Sequence, residues 1–410
     1  MTTQDAARTL DQSGSLDPGF GDNQNGTILL QGTKVEAIAV LKAEGANQGK
    51  IIGAISNGSS AFTLFRLDKT GLLDRSFGPD GTGYATGRFG ADTTLPTVRT
   101  LTIIDNGSIL VTGDVRQSSL GPHYPAAALF NSNGTPNLVF GTFRFEEAPP
   151  TLPVESSVPI PLNDAEAKAG KILFAVNNSS PGPYRNWGLL IQLTLNGELD
   201  KDLDGRGYVY FRHNNENTTT VGAVTQTDGT IVLAGYTSSH AFLAGFTSNG
   251  KIDPTFGTGG IKTFESPEGA IRLSKVLAQP DNKLIAVGTV TKSPQRGWVT
   301  RTLSNGTSDN TFNNGNEFIT QFPFRSLQWN SADIDSKGSI VVAGEIDQRL
   351  CIVGRITEDG RVDTTFTPTG LSDPNAADTP NVTTSVAVQS DARIIVAGIK
   401  TDASVSGYVG

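Results

Sequence analysis

Short apolar runs of about four to seven residues recur along the whole chain, separated by polar and glycine-rich breaks. Between Asp253 and Gly306 the runs are IKTF from Ile261, LSKVLAQ from Leu273, LIAVGTV from Leu284 and WVTRTL from Trp298. β-Branched residues dominate them, and the breaks carry Gly, Pro, Asp and Asn, so the pattern predicts four short β-strands. The last run ends at Asn305-Gly306, a hairpin signal because both residue types accept positive φ. The third run returns almost unbroken as IIGAI at Ile51, ILVTG at Ile109, ILFAV at Ile172, IVLAG at Ile231, IVVAG at Ile340 and IIVAG at Ile394. Runs apolar at every position fit strands covered on both faces. No stretch shows a 3.6-residue apolar period long enough for a helix.

One phrase sets the phase of these runs. Asp-x-x-Phe appears as Asp17/Phe20, Asp74/Phe77, Asp253/Phe256, Asp309/Phe312 and Asp363/Phe366, with altered copies at Asn137/Phe140 and Asp200/Leu203. First positions are 57, 63, 63, 53, 56 and 54 residues apart in the 410-residue chain. Units of that size that cannot cover their own faces must stack on one another. The expected architecture is all-β, a seven-bladed β-propeller of four-stranded antiparallel blades forming one domain over residues 1–410. A linear β-solenoid is the rival. Closure is favoured because the last unit stops at SGYVG from Ser406, short of a complete fourth strand. AARTLDQSG precedes Asp17 just as TLFRLDKTG precedes Asp74. The two termini are therefore expected to share one blade, which removes a bare sheet edge.

The phrases LDPGFG at Leu16, LLDRSFG at Leu72, KIDPTFG at Lys251 and RVDTTF at Arg361, with the strand that follows each Asp-Gly-type turn, resemble the delta-60 repeat. That bacterial repeat family implies a propeller-type fold and brings no assigned chemistry. The third unit departs most, with Asn137 in place of Asp and a long insertion. The fourth has lost its Phe and the Gly after it.

Composition narrows the function classes. Net charge is −8, and Lys and Arg are scattered singly. A nucleic-acid binder needs a clustered basic face, so nucleic acid is not an expected partner. Cys351, the single cysteine, lies in an apolar run and reads as a small buried residue. The N-terminus has neither the basic nor the apolar segment of a signal peptide, and no run reaches the ~20 residues that span a bilayer. The expectation is a soluble protein, cytoplasmic or exported by a route that needs no such signal.

An Asp that opens a turn accepts hydrogen bonds from nearby backbone N–H groups, and a Phe three residues on can anchor that turn between blades. Sevenfold repetition favours this over catalysis. Asp200, Asp202 and Asp204 open a D-x-D-x-D-G phrase like that of a calcium loop, but the twelfth position is Phe211 rather than Glu. Calcium is a weak expectation there, and no cofactor is expected. The three histidines, His123, His213 and His240, show no metal-ligand spacing and read as exposed loop residues. No nucleophile-elbow, zincin or P-loop phrase occurs.

Aromatic residues open several fourth runs, at Phe62, Tyr124, Trp187, Phe242, Trp298 and Tyr408, and read first as packing between blades. Antiparallel order puts the Asp-x-x-Phe turns and the Asp-Gly-type turns on one uniform face. The remaining loops, which vary in length and sequence, share the opposite face. These include GRFGADTTLPT from Gly87, the proline-rich segment from Glu146 to Glu166, RHNNENTTT from Arg212 and PFRSLQWN from Pro323. Function concentrates on such loops. The candidate ligand-binding residues are His123, Tyr124, Tyr184, Trp187, Arg212, His213 and Trp329. The expected function is non-enzymatic binding of a protein or glycan through this variable face. The alternative is a propeller hydrolase or lyase with Arg212, His213 and Asp333 converging near the axis. A purely structural part of a larger assembly is the third reading.

Overall fold

The computed structural model describes residues 14–22, 25–31, 34–56, 58, 60–90, 95–104, 106–116, 123–146, 164–168, 170–179, 186–374, 379–401 and 406–410. Their strands form seven antiparallel sheets, the blades of a β-propeller. Blade one runs through Val35–Val40, Ile51–Ser56, Phe62–Leu67 and Tyr84–Gly87, from the axis outward. Blades two to five repeat this order, beginning at Leu95, Asp164, Thr219 and Ile271. Inner strands of successive blades are neighbours around the ring, and that of blade seven meets that of blade one. The expected fold class is therefore realised, with two differences in detail.

The first concerns phase. The run after each Asp-x-x-Phe is the outer strand of the blade already under way, not the first strand of the next. Ile261–Phe264 pairs with Ala241–Phe246, and Phe318–Thr320 pairs with Arg296–Thr302. The Asp-x-x-Phe turn thus joins third strand to outer strand within one blade. The sequence pattern fixes strand order but not the break between blades, because the loop that crosses to the next blade carries no repeated phrase. The second difference is blade six. It has three strands, and its fourth is reduced to a single bridge between Gly354 and Leu371.

The termini share blade seven. Its first two strands are Val382–Val388 and Ile394–Lys400, its third is Ser406–Val409, and its outer strand is Ile28–Gln31. Residues 6–13, expected to supply part of that blade, lie outside the described residues.

Two devices hold the ring together. The apolar second and third strands pack face to face with those of the next blade. Ile52, Leu64 and Phe62 of blade one share a cluster with Ile109, Val111 and Ala128 of blade two. On the uniform face, the aromatic or aliphatic residue of each Asp-x-x-Phe lies on a glycine of the next blade. Phe20 lies on Gly71, Phe77 on Gly134, Phe140 on Gly197, Leu203 on Gly250, Phe256 on Gly306 and Phe312 on Gly360. Each glycine has φ between 79° and 88°, and a Cβ there would meet the neighbouring blade.

The repeated Asp acts as expected. In all seven units its side chain accepts the backbone N–H two residues on, from Asp17 to Gly19 at 2.8 Å through to Asp363 and Thr365 at 2.9 Å. Three copies add an arginine from the third strand. Arg66, Arg301 and Arg355 donate through Nε to Asp74, Asp309 and Asp363, and each lies over the Phe of its own phrase.

Among the described residues no helix is long and apolar enough to cross a membrane.

Candidate functional site

The uniform face is occupied by these clasps, so the site is sought on the opposite face. There the inner strands carry a second repeated feature. In six blades the inner strand bulges, at Glu36, Arg99, Val221, Ser274, Asn330 and Thr384. A bulge re-aims one side chain. In four blades, a polar residue at the end of the second strand accepts the N–H just before the next blade's bulge. Ser56 takes Val98, Asn177 takes Thr220, Thr289 takes Trp329 and Glu345 takes Thr383, at 3.2, 2.6, 3.3 and 2.9 Å.

In blade two the polar residue at that position is Asp114, 4% exposed, which meets side chains of its own blade. It accepts from Arg99 Nε at 2.9 Å and contacts His123 Nδ1 at 2.6 Å. A carboxylate that fixes an imidazole in this way can orient it as a base. His123 opens the third strand of the blade, and Tyr124 follows it with the Arg144 guanidinium 5.7 Å from its ring.

Blades three and four supply the next group. Trp187 opens the third strand of blade three and lies 4.4 Å from the Arg212 guanidinium at the end of the outer strand. His213 begins the loop to blade four and is buried rather than exposed, stacked on Phe242 and meeting His240 edge-on at 4.7 Å between centroids. The loop is pinned over it by Thr218, whose hydroxyl accepts the His213 N–H at 2.9 Å. Among the described residues, neither ring nitrogen of His213, nor Nε2 of His240, has a hydrogen-bond partner. Burial, seconded by His240 and opposed by Glu216, holds the His213 pKa below its ordinary value. His240 Nδ1 contacts Ser239 Oγ at 2.8 Å, and Ser239 donates to Glu216 at 3.3 Å.

Several expectations change here. Trp329 is 1% exposed and packs in the core between blades five and six, so it is not a surface contact. The loop containing it does present an aromatic residue, but that residue is Phe324, 99% exposed. Phe324 sits at φ 62° in a turn bridged from Phe322 to Arg325. Arg325 and Ser326 anchor the turn to Asp347 at 2.8 and 2.9 Å. Nothing in the residue pattern separates Phe324 from Trp329. Only the strand register decides which points outward.

Asp333 lies near the uniform-face end of its strand, with Lys42 at 2.9 Å and the Val388 N–H at 2.8 Å. The strand order puts Arg212 and His213 at the other end of the blades, so these three do not converge. Phe62, Phe242, Trp298 and Tyr408 are buried, in keeping with packing between blades. Tyr184 lies outside the described residues.

In the Asp200 phrase the three carboxylates are each paired with side chains of this chain. Asp200 accepts from Gln192 and lies 3.0 Å from Lys171, Asp202 lies 2.8 Å from Lys171, and Asp204 pairs with Arg206 and Lys251. Among the described residues no three His, Cys, Asp or Glu side chains converge to hold a metal.

Comparison with known proteins returns the fold. The family described as a domain of unknown function (DUF5122) beta-propeller matches residues 226–256 and 279–312. No curated protein matches the sequence. Among solved structures, an inactive H270A virginiamycin B lyase from Staphylococcus aureus superposes at a TM-score of 0.50 and 12% identity, covering 93% of this chain and 98% of that one. The WD40 domain of Toxoplasma gondii coronin reaches 0.47 at 8% identity, covering 93% and 85%. A polysaccharide lyase acting as an ulvan lyase reaches 0.47 at 10%, covering 93% and 94%. At these identities the likeness is one of fold alone.

Proposed function

We propose that this propeller is a binding module that engages a protein or glycan partner through its variable face, without catalysing a reaction. The observation that carries the reading is Phe324. A fully exposed aromatic residue gains nothing for folding, and left-handed backbone disfavours any residue but glycine. The turn is nevertheless bridged across it from Phe322 to Arg325 and braced just after it by Asp347. A rigid, pre-positioned aromatic residue is the form an interface anchor takes. The guanidinium–aromatic pairs Arg144–Tyr124 and Arg212–Trp187 support the same reading, since they present flat, partly charged surfaces suited to glycan or protein contact.

The test is a glycan array and a defined-partner binding screen with the wild-type chain and with Phe324→Ser. Binding that is specific and lost in the variant supports the reading. Turnover of a substrate, with no specific binder that responds to the change at Phe324, overturns it.

A further inference from the structure

A cavity of about 290 Å³ opens on the variable face where blades five and six meet, lined by Gln295, Ser326, Gln328, Asp347 and Gln348. Gln295 precedes the third strand of blade five, Arg296–Thr302. Ser326 and Gln328 lie at the start of the inner strand of blade six, Leu327–Ile334. Asp347 and Gln348 form the turn between its next two strands, Ile340–Ile346 and Leu350–Ile356. Backbone hydrogen bonds fix these walls. The Leu327 N–H donates to the Gln295 carbonyl at 2.9 Å, the Gln295 N–H to Ser326 Oγ at 3.1 Å and the Asp347 N–H to the Ser326 carbonyl at 2.8 Å. Phe324 precedes Ser326 by two residues, at most about 7 Å of chain.

The lining is polar but carries no unopposed charge. Its one ionisable side chain is Asp347, which accepts from Arg325 Nε at 2.8 Å and from the Ser326 N–H at 2.9 Å. Gln328 Nε2 donates to Gln295 Oε1, which leaves Gln295 an amide donor and Gln328 a carbonyl acceptor. Ser326 Oγ accepts a hydrogen bond and keeps its own proton to donate. The Gln348 amide makes no hydrogen bond to a described residue. Backbone conformation singles out the same place. Asp347 and Gln348 have φ 53° and 57°, and the Arg349 N–H closes their turn on the Ile346 carbonyl at 3.2 Å. Such a turn favours Asn and Gly. Among the described residues only Phe324, Gln348 and Ala392 have positive φ without being Gly, Asn or Asp, and the first two belong to the turns that build this cavity. Side chains kept where the backbone disfavours them point to a use other than folding.

We infer that this cavity binds the terminal hexose of a neutral oligosaccharide, with Phe324 offering its ring to the sugar that follows. Each sugar hydroxyl both donates and accepts, and the free groups of Gln295, Ser326, Gln328 and Gln348 supply both functions. A charged ligand would find no partner of opposite sign that Arg325 or Asp347 has not already taken. The apolar face of a sugar ring suits an aromatic platform, and Phe324 is held out for one. The inference rests on the reading that Phe324 anchors a partner, and it narrows that partner to a glycan.

The test is an array of neutral, sialylated and uronic acid-containing oligosaccharides probed with the full chain, followed by calorimetric titration of the best neutral oligosaccharide. Neutral sugars are expected to bind in preference to acidic ones, and added salt should leave the affinity unchanged. Gln348→Gly removes the amide and suits the left-handed backbone, so it should melt as wild type does and still weaken the titrated sugar roughly tenfold. Absence of neutral-sugar binding overturns the inference, as does a preference for acidic sugars or undiminished binding in Gln348→Gly. A protein partner that responds to Phe324→Ser, with no neutral sugar bound, overturns the inference and leaves the anchor role of Phe324 standing. Sugar binding lost in Gln348→Gly but kept in Phe324→Ser supports the cavity and overturns the part given to Phe324.

Discussion

Phe366 of blade six lies against Gly14, which belongs to blade seven near the start of the chain. The contact is the seventh member of the ring of Phe-on-Gly clasps and the one that joins the two ends of the sequence. Gly14 has φ 86°, and a Cβ there would come 2.3 Å from Thr367 Cγ2 and 3.6 Å from the Phe366 ring. Gly14→Ala therefore combines backbone strain with a clash and should cost at least about 1–2 kcal/mol. Phe366→Ala removes a buried ring and should cost about 3 kcal/mol or more. Chemical denaturation of the two variants measures both. Near-neutral values would mean that the clasp does not contribute to closure.

Arg301 and Asp309 form the most buried of the arginine–aspartate clasps, with side chains 2% exposed on both sides. Arg301 also donates Nη1 to the Glu358 carbonyl of the next blade at 2.6 Å. Removing one partner leaves the other charge buried, so Asp309→Ala should cost about 3–5 kcal/mol. The same group predicts an acid limb. Burial pushes the Asp309 carboxyl upward, but hydrogen bonds from Thr311 and the Arg301 guanidinium outweigh it and bring the pKa down to about 2. A carboxyl depressed in the folded state stabilises fully above its unfolded value near 3.8. That contribution is lost as pH falls from there toward 2. Thermal melts across this range should show a shallower acid decline in Asp309→Asn than in wild type.

The repeat made the ring, the strand count, the Asx turns and the sorting of loops into two faces legible in the sequence, because each rests on residues that recur. The blade boundary was not legible, because the crossing loop recurs in neither length nor composition. Trp329 was misplaced because its loop begins with Pro323 and reads as an insertion. The bulge at Asn330 returns Trp329 to the core while Phe324 remains outside. The Asp114–His123 contact was hidden for another reason. It joins two side chains of neighbouring strands in blade two, and neither residue belongs to a phrase that recurs along the chain.

Calcium should leave the protein unchanged. Asp200, Asp202 and Asp204 are held by Lys171, Gln192, Arg206 and Lys251, and a cation would have to displace those partners. Thermal melts with millimolar calcium and with chelator should coincide. A rise in midpoint that disappears in Asp202→Asn would show that the phrase rearranges into a cation loop.

His213 should give the protein a second, milder acid sensitivity. Its pKa is held below the ordinary value by burial and by His240. An imidazole depressed in the folded state takes up its proton more readily in the unfolded chain. Stability is therefore constant above the unfolded value of about 6.5 and falls as pH drops below it. The loop over His213, from Arg212 to Thr218, should loosen first. His213→Phe keeps the stacking on Phe242 and removes the proton site. Its stability should decline less between pH 7 and 5, read by thermal melts at matched ionic strength. Parallel curves for the two proteins would locate the sensitivity elsewhere.

Phe324 and Trp329, five positions apart in one loop and strand, should respond oppositely. Trp329 is enclosed by blades five and six, so Trp329→Ala leaves a cavity and should cost about 3–5 kcal/mol. Phe324 contributes no burial, so Phe324→Ala should leave the melting midpoint unchanged. Phe324→Gly relaxes the left-handed backbone but makes the unfolded chain freer. The two effects oppose, and stability should stay within about 1 kcal/mol of wild type. Both Phe324 variants should nevertheless lose partner binding. The paired measurement separates the roles: a melt reads packing, and a binding isotherm reads display. Should Phe324→Ala destabilise the fold as Trp329→Ala does, the side chain is packing and the anchor role is withdrawn.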